Sequence, residues 1–275
     1  MPASLENGDT PLGLAGRAVA VLQETDPAQK AALASAMAAD WKAGRIAAIG
    51  QGNPPERPGR PREPELKRPG EVRKRKINRG TTGRIALLHA LAHIELNAID
   101  LACDIIARFT AEDLPRAFYD DWLLVAEEEA KHYLLLAQRL EQLGGHYGAL
   151  PAHDGLWQAS EETAHDLLAR LAVVPLVLEA RGLDVTPAMI AKLQTAEDHE
   201  SAAVLTVIYE DEIGHVAIGK RWFDHLCERR GLDPRESWQD LVRRHFRGQL
   251  KPPFNEAARD TAGLPADFYA RLESA

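Results

Sequence analysis

Two Glu-x-x-His units, Glu129-Ala-Lys-His132 and Glu212-Ile-Gly-His215, restrict the folds open to this chain more than any other feature. Residues three apart share a helical face, so each unit presents a carboxylate beside an imidazole. A single glutamate precedes each unit at nearly the same interval: Glu95 lies 34 residues before Glu129, and Glu179 lies 33 before Glu212. Apolar stripes carry these residues. Glu95 is in line with Leu88, Ala92, Ile99 and Ala102; Glu129 and His132 with Trp122, Val125, Leu136 and Leu140; Glu212 and His215 with Leu205, Ile208, Ile218 and Trp222. An unpaired carboxylate facing a core is costly. Four of them meeting two imidazoles need cations between them, and two divalent ions balance four carboxylate charges. The expected site is a dinuclear metal centre held by Glu95, Glu129, His132, Glu179, Glu212 and His215, the donor set that di-metal helical bundles use.

The rest of the pattern is all-α. A capping residue stands directly before proline at Thr10-Pro11, Asp26-Pro27, Thr186-Pro187 and Asp233-Pro234, and each pair reads as a helix start. Short helices are expected over Pro11–Glu24 and Pro27–Lys42, the second with Leu33, Met37 and Trp41 as one apolar stripe. Residues 50–80 are rich in Pro, Gly and Arg, have no apolar face, and read as an extended basic arm. Four long helices follow: Thr82–Arg108, Pro115–Leu143, one from Trp157 past Glu179, and Ser201–Arg230. Gly182 and Thr186-Pro187 interrupt the third before a stretch to Ala196, and Gly231 stops the fourth. The chain runs from Glu95 to a turn at Glu112-Asp113 and back to Glu129. Each leg covers about 21 Å at the helical rise, so the two carboxylates return to one level. The expected division is a helical extension (1–49), the arm (50–80), a four-helix bundle (81–231), and a helix with an irregular tail packed on the bundle (232–275).

The net charge of −8 hides ten Lys/Arg against four Glu between Glu56 and Arg79. Arg73-Lys-Arg-Lys76 can track a phosphate backbone. No aromatic residue interleaves it, so packing along the acidic body is the favoured reading and nucleic-acid (tRNA) binding the lesser one. No apolar run reaches the ~18 residues of a membrane span; Leu167–Leu178 comes closest and contains Arg170. The N-terminus lacks a secretory pattern, and Cys103 and Cys227 form no CxxC pair. A cytoplasmic location is expected, with no membrane association, disulfide framework or thiolate metal site.

Glu162-Thr-Ala-His165 copies the spacing near the start of the third helix, far from the other six residues, and reads as structural or exposed. His89 and His93 lie neither three nor four residues from Glu95 and are assigned to packing or support. Glu128 and Asp211 adjoin the two units and either orient the imidazoles or face solvent. Tyr209, one turn before Glu212, can approach the metals, though core packing is the commoner outcome. Trp122, Trp222, Cys103 and Cys227 read as core.

About three quarters of the chain, from about Pro58 to the tail, resembles an uncharacterised family of bacterial ferritin-like proteins. The resemblance rests on RPGRPREPEL, GRIALLHALAHIELNAIDLA, EEEAKHYLLLAQRL, VLEARGLDVTP, YEDEIGHVAIGKRWF and KPPFNEAARDTAGL. More distantly, the hairpins resemble the MiaE-type tRNA hydroxylases, which use the same ligand set. The resemblance implies a ferritin-like four-helix bundle and a metal site, and no particular substrate. Histidine and carboxylate donors with open positions favour two iron ions, with manganese or a mixed Mn/Fe pair as alternatives, over closed structural zinc. The leading expectation is a di-iron oxidoreductase that activates dioxygen with electrons from an external reductant, a hydroxylase being the best-fitting use. One alternative is a ferroxidase or iron-handling protein, disfavoured because roughly a hundred residues lie outside the bundle. The other is a non-catalytic interaction protein stapled by a structural metal pair. A homodimer is compatible with each.

Overall fold

Residues 12–68, 71 and 80–272 are described in a computed structural model of the chain. The Thr10-Pro11 pair and the Arg73–Lys76 cluster lie outside these residues. The helices are α1 (Leu14–Gln23), α2 (Pro27–Lys42), α3 (Thr81–Arg108), α4 (Arg116–Gln142), α5 (Gly155–Glu162), α6 (Leu167–Val173), α7 (Ala180–Thr195), α8 (His199–Arg230), α9 (Pro234–His245), α10 (Glu256–Thr261) and α11 (Ala266–Tyr269). A π-helical segment, Val174–Glu179, joins α6 to α7. Asp26 and Asp233 cap α2 and α9 as their Asp-Pro pairs predict, accepting from the backbone N–H groups of Gln29 and Glu236. Gly231 ends α8 with φ of 66°, a left-handed residue that glycine adopts without a Cβ clash.

Helix α3 packs along α4 and α7 along α8, while α4 and α8 also touch. Against α3 lie α1, α2 and α5 as well. Leu14, Leu22, Met37 and Trp41 of the first two helices join the same apolar core as the helices that carry the six residues. Enclosure explains the composition of α3. By length and apolarity it passes as a membrane span, against the expectation that no such run exists, yet 78% of its apolar window is buried inside the protein. Described residues of the basic arm lie on this body. Arg57 pairs with Asp154 and Glu161, and Arg60 with Asp100 and Asn97.

The stripe expected on α2 is displaced. Leu33 is exposed, and the buried face is Lys30, Ala31, Ala34, Met37, Ala38 and Trp41. A four-residue step overshoots the helical turn, so Leu33 and Trp41 diverge by about 80° around the axis. The Lys30 ammonium is satisfied by Asp100 at 2.5 Å and by the carbonyls of Leu22 and Gly59.

The third long helix breaks at a different place from the one predicted. Its interruption is the turn at residues 163–166, where Asp166 caps α6 through the Leu168 N–H. At Gly182 and Thr186-Pro187, α7 continues unbroken. Proline removes the N–H that would bond the carbonyl four residues earlier. That carbonyl, on Leu183, accepts instead from the Asn255 side-chain amide at 3.1 Å. Pro175 acts differently: it lies in the π segment, where the wider turn accommodates its ring. There it packs so closely on α8 that a Cβ at Gly219 would lie 2.3 Å from the proline Cβ. This contact places the π segment, which ends in Glu179, hard against α8.

Candidate metal centre

Four elements bring the six residues together. Helix α3 supplies Glu95, α4 supplies Glu129 and His132, the π segment ends in Glu179, and α8 supplies Glu212 and His215. Glu95, Glu129, His132 and Glu212 each offer a ligand atom within 4.8 Å of the others. Glu129 is central. Its Oε2 lies 3.4 Å from His132 Nδ1 and its Oε1 lies 3.1 Å from His215 Nδ1. Glu95 Oε2 is 3.5 Å from His132 Nδ1, and Glu212 Oε2 is 3.8 Å from His215 Nδ1. Glu179 faces the same space: all four glutamates line one cavity of about 180 Å³.

The histidines are oriented by a reciprocal exchange between helices. His132 of α4 donates through Nε2 to Asp211 of α8 at 2.9 Å, and His215 of α8 donates to Glu128 of α4 at 2.8 Å. Each acid stands one residue before the glutamate of its own unit. Both imidazoles thereby turn Nδ1 inward, with carboxylates fixing the tautomer from outside. Lys131 also holds Asp211.

Electrostatics follow from burial around Glu129. Burial and the charge of Glu129 push Glu95 up to about 8 and Glu179 up to about 7. The same two causes raise Glu212 well above the usual carboxylate range. Burial opposes charge on His132, but Glu129 and Glu95 lift it to about 11. Burial likewise opposes charge on His215, which Glu128 and Glu129 lift well above the ordinary imidazole value. Glu129 is held low by the two imidazoles despite its burial. Without metal, protons occupy the positions that cations would otherwise neutralise.

A stability prediction follows. The folded metal-free protein keeps protons on Glu95, Glu179 and Glu212 above the ordinary value of 4.5, and on His132 and His215 above 6.5. The unfolded chain releases them there, so it binds fewer protons and stability falls as pH rises. His93, lowered by burial to about 4, acts in the opposite sense, but below 6.5. The Tm of metal-free protein should therefore fall between about pH 6.5 and about pH 8.5, and bound metal should flatten the fall. A Tm that rises over that window would contradict this proton count.

The other candidates separate cleanly. Glu162 ends α5 and pairs with Arg247, while His165 lies in the following turn against His245. His89 Nε2 accepts from the N–H groups of Gly148 and Leu150, and His93 bonds Tyr147 Oη and the His153 carbonyl, so both support the loop after α4. Tyr209 Oη accepts from Asn255. Trp122, Trp222, Cys103 and Cys227 are buried in the core. Missed by sequence reasoning were Lys30–Asp100 and Arg170–Asp104, ion pairs buried to within 1% exposure. Asp100 and Asp104, four apart on so apolar a helix, were the available signal.

A family described as "Protein of unknown function (DUF455)" matches residues 23–270. An "Uncharacterized protein" from Haemophilus influenzae is 43% identical over 209 residues, which cover 74% of this chain and 72% of that protein. No solved structure matches the chain. With the family match spanning α2 to α11, the chain belongs to the DUF455 family.

Proposed function

We propose that this chain is a ferritin-like four-helix bundle with a dinuclear metal centre, and that it serves as an oxygen-activating di-iron oxidoreductase. One observation carries the reading. Seven buried side-chain atoms with no hydrogen-bond partner belong to the six residues: Glu95 Oε2, both Glu129 oxygens, His132 Nδ1, Glu179 Oε2, Glu212 Oε2 and His215 Nδ1. Orphaned buried polar atoms are rare and costly. Here they converge and are all metal-donor types, so the residues fit a pair of cations.

In that reading Glu129, whose two oxygens face different imidazoles, would help to hold both ions. Glu95, Glu179 and Glu212 complete the oxygen donors. Asp211 and Glu128 accept from each Nε2–H, which would leave Nδ1 to a bound metal and raise its donor strength. When bound, a ferrous pair supplies electrons to dioxygen, which an external reductant restores. The mixed oxygen–nitrogen donors, with no thiolate, favour iron or manganese.

The test is anaerobic loading of the full chain with Fe(II), followed by mixing with oxygenated buffer. Oxygen uptake with a transient visible absorption band is the expected result. Fully loaded protein that consumes no oxygen and shows no band would leave a structural metal pair instead.

A further inference from the structure

We propose that the cavity over the four glutamates is a binding site for an uncharged, apolar small molecule. Its size would be about one aromatic ring or a chain of about six to eight carbons. The site presupposes the dinuclear reading above and names its substrate class.

The lining is carboxylate in part and otherwise mainly apolar. Glu95, Glu129, Glu179 and Glu212 line the cavity together with Ala98, Leu101, Val174, Leu205 and Ile208. At about 180 Å³ the cavity is slightly larger than an engineered, hydrocarbon-lined one of about 150 Å³ that stays dry and takes up benzene. Apart from the glutamates, the charged and hydroxyl side chains lining it are Arg181 and Thr186. Arg181 is already engaged by the protein. Its guanidinium donates to the carbonyls of Lys251 at 2.7 Å and Pro253 at 3.3 Å, fastening the C-terminal segment. A carboxylate-bearing ligand would face four glutamates, and the one cation among these lining residues is already paired with Asp184 at 3.4 Å.

The mouth shows why it stays open. From Leu87 to Ala107, every α3 residue is buried except Leu91 and Ile94, and both line the cavity. Gly182, inside α7, lines the same cavity. A glycine in a helix interior costs about 1 kcal/mol relative to alanine. Neither tight packing nor a left-handed backbone requires it, because a Cβ there would meet nothing within 4 Å and its φ is not positive. What the missing side chain does is leave the mouth clear.

Gly182 therefore makes the test clean, because larger residues there should fold. Toluene binding to the metal-loaded full chain is measured by headspace partition, benzoate binding by equilibrium dialysis, and metal content on the same samples. Wild type and Gly182→Ala should take up one saturable equivalent of toluene and no benzoate. Gly182→Leu should bind toluene about tenfold more weakly or worse, with unchanged metal content and Tm no lower. Toluene bound equally well by Gly182→Leu, or benzoate bound as well as toluene, overturns the proposal. So does metal-loaded wild type that binds neither. Toluene uptake by wild type that retains no metal would keep the apolar pocket and remove the di-metal reading beneath it.

Discussion

Glu129→Ala should lower the metal bound to natively purified protein from two equivalents to less than one. Glu129 is the residue whose two oxygens each face a different imidazole. In the proposed centre its loss would remove a donor from both metal positions, and with it the charge that holds the protons of both histidines in the metal-free protein. Losing even an outer support of a ligand typically costs 10- to 100-fold in metal affinity, so a central donor should cost more than about a hundredfold. The control is already in the chain. Glu162→Ala removes the glutamate of the false copy, which pairs with exposed Arg247, and should retain both equivalents. Elemental analysis decides it, with far-UV circular dichroism confirming that both variants remain helical. Equal metal in the two variants, or none in wild type, would sink the centre.

The second large effect concerns stability and should leave the metal untouched. Asp104→Ala is expected to cost about 3–5 kcal/mol, because it strands a buried cation. Arg170 has no solvent exposure and donates to Asp104 at 2.6 Å. Its remaining hydrogen-bond partners are the Ser160 carbonyl, in the last turn of α5, and Thr163 Oγ1, in the break between α5 and α6. Asp104 also accepts from Arg108, so one carboxylate ties α3 to the turn that redirects the chain toward Glu179. A loss of this size lowers Tm by about 5 °C or more in a chain this long. Arg243→Ala, which breaks an exposed pair with Asp240, should change stability by no more than about 1 kcal/mol. A difference between the two variants below about 1 kcal/mol would contradict the role given to the buried pair.

The buried network was hard to see because a charged residue on an apolar helix has no visible partner until the fold supplies one. Arg170 served only to argue against a membrane span; in three dimensions it is the counterion of Asp104. The third helix shows the same limit. Thr186-Pro187 has the local chemistry of a helix start, yet α7 runs through it because Asn255, 72 residues away, serves the carbonyl that proline orphans. Local propensity was outvoted by a tertiary hydrogen bond.

What the sequence determined alone was which residues share a face. Helical period is local, so Glu129 with His132, Glu212 with His215 and the stripes beneath them could be read without knowing where any helix goes. Near-equal intervals then separated those units from the copy at Glu162. The tertiary structure decided which faces meet: Asp211 turns the histidine of the other helix, as Glu128 does in return, and a single glutamate comes to lie between both rings. It also decided where nothing meets. A cavity is the space between helices, set by how they pack, and only that packing brings Gly182 of α7 to line the same space as Leu91 and Ile94 of α3.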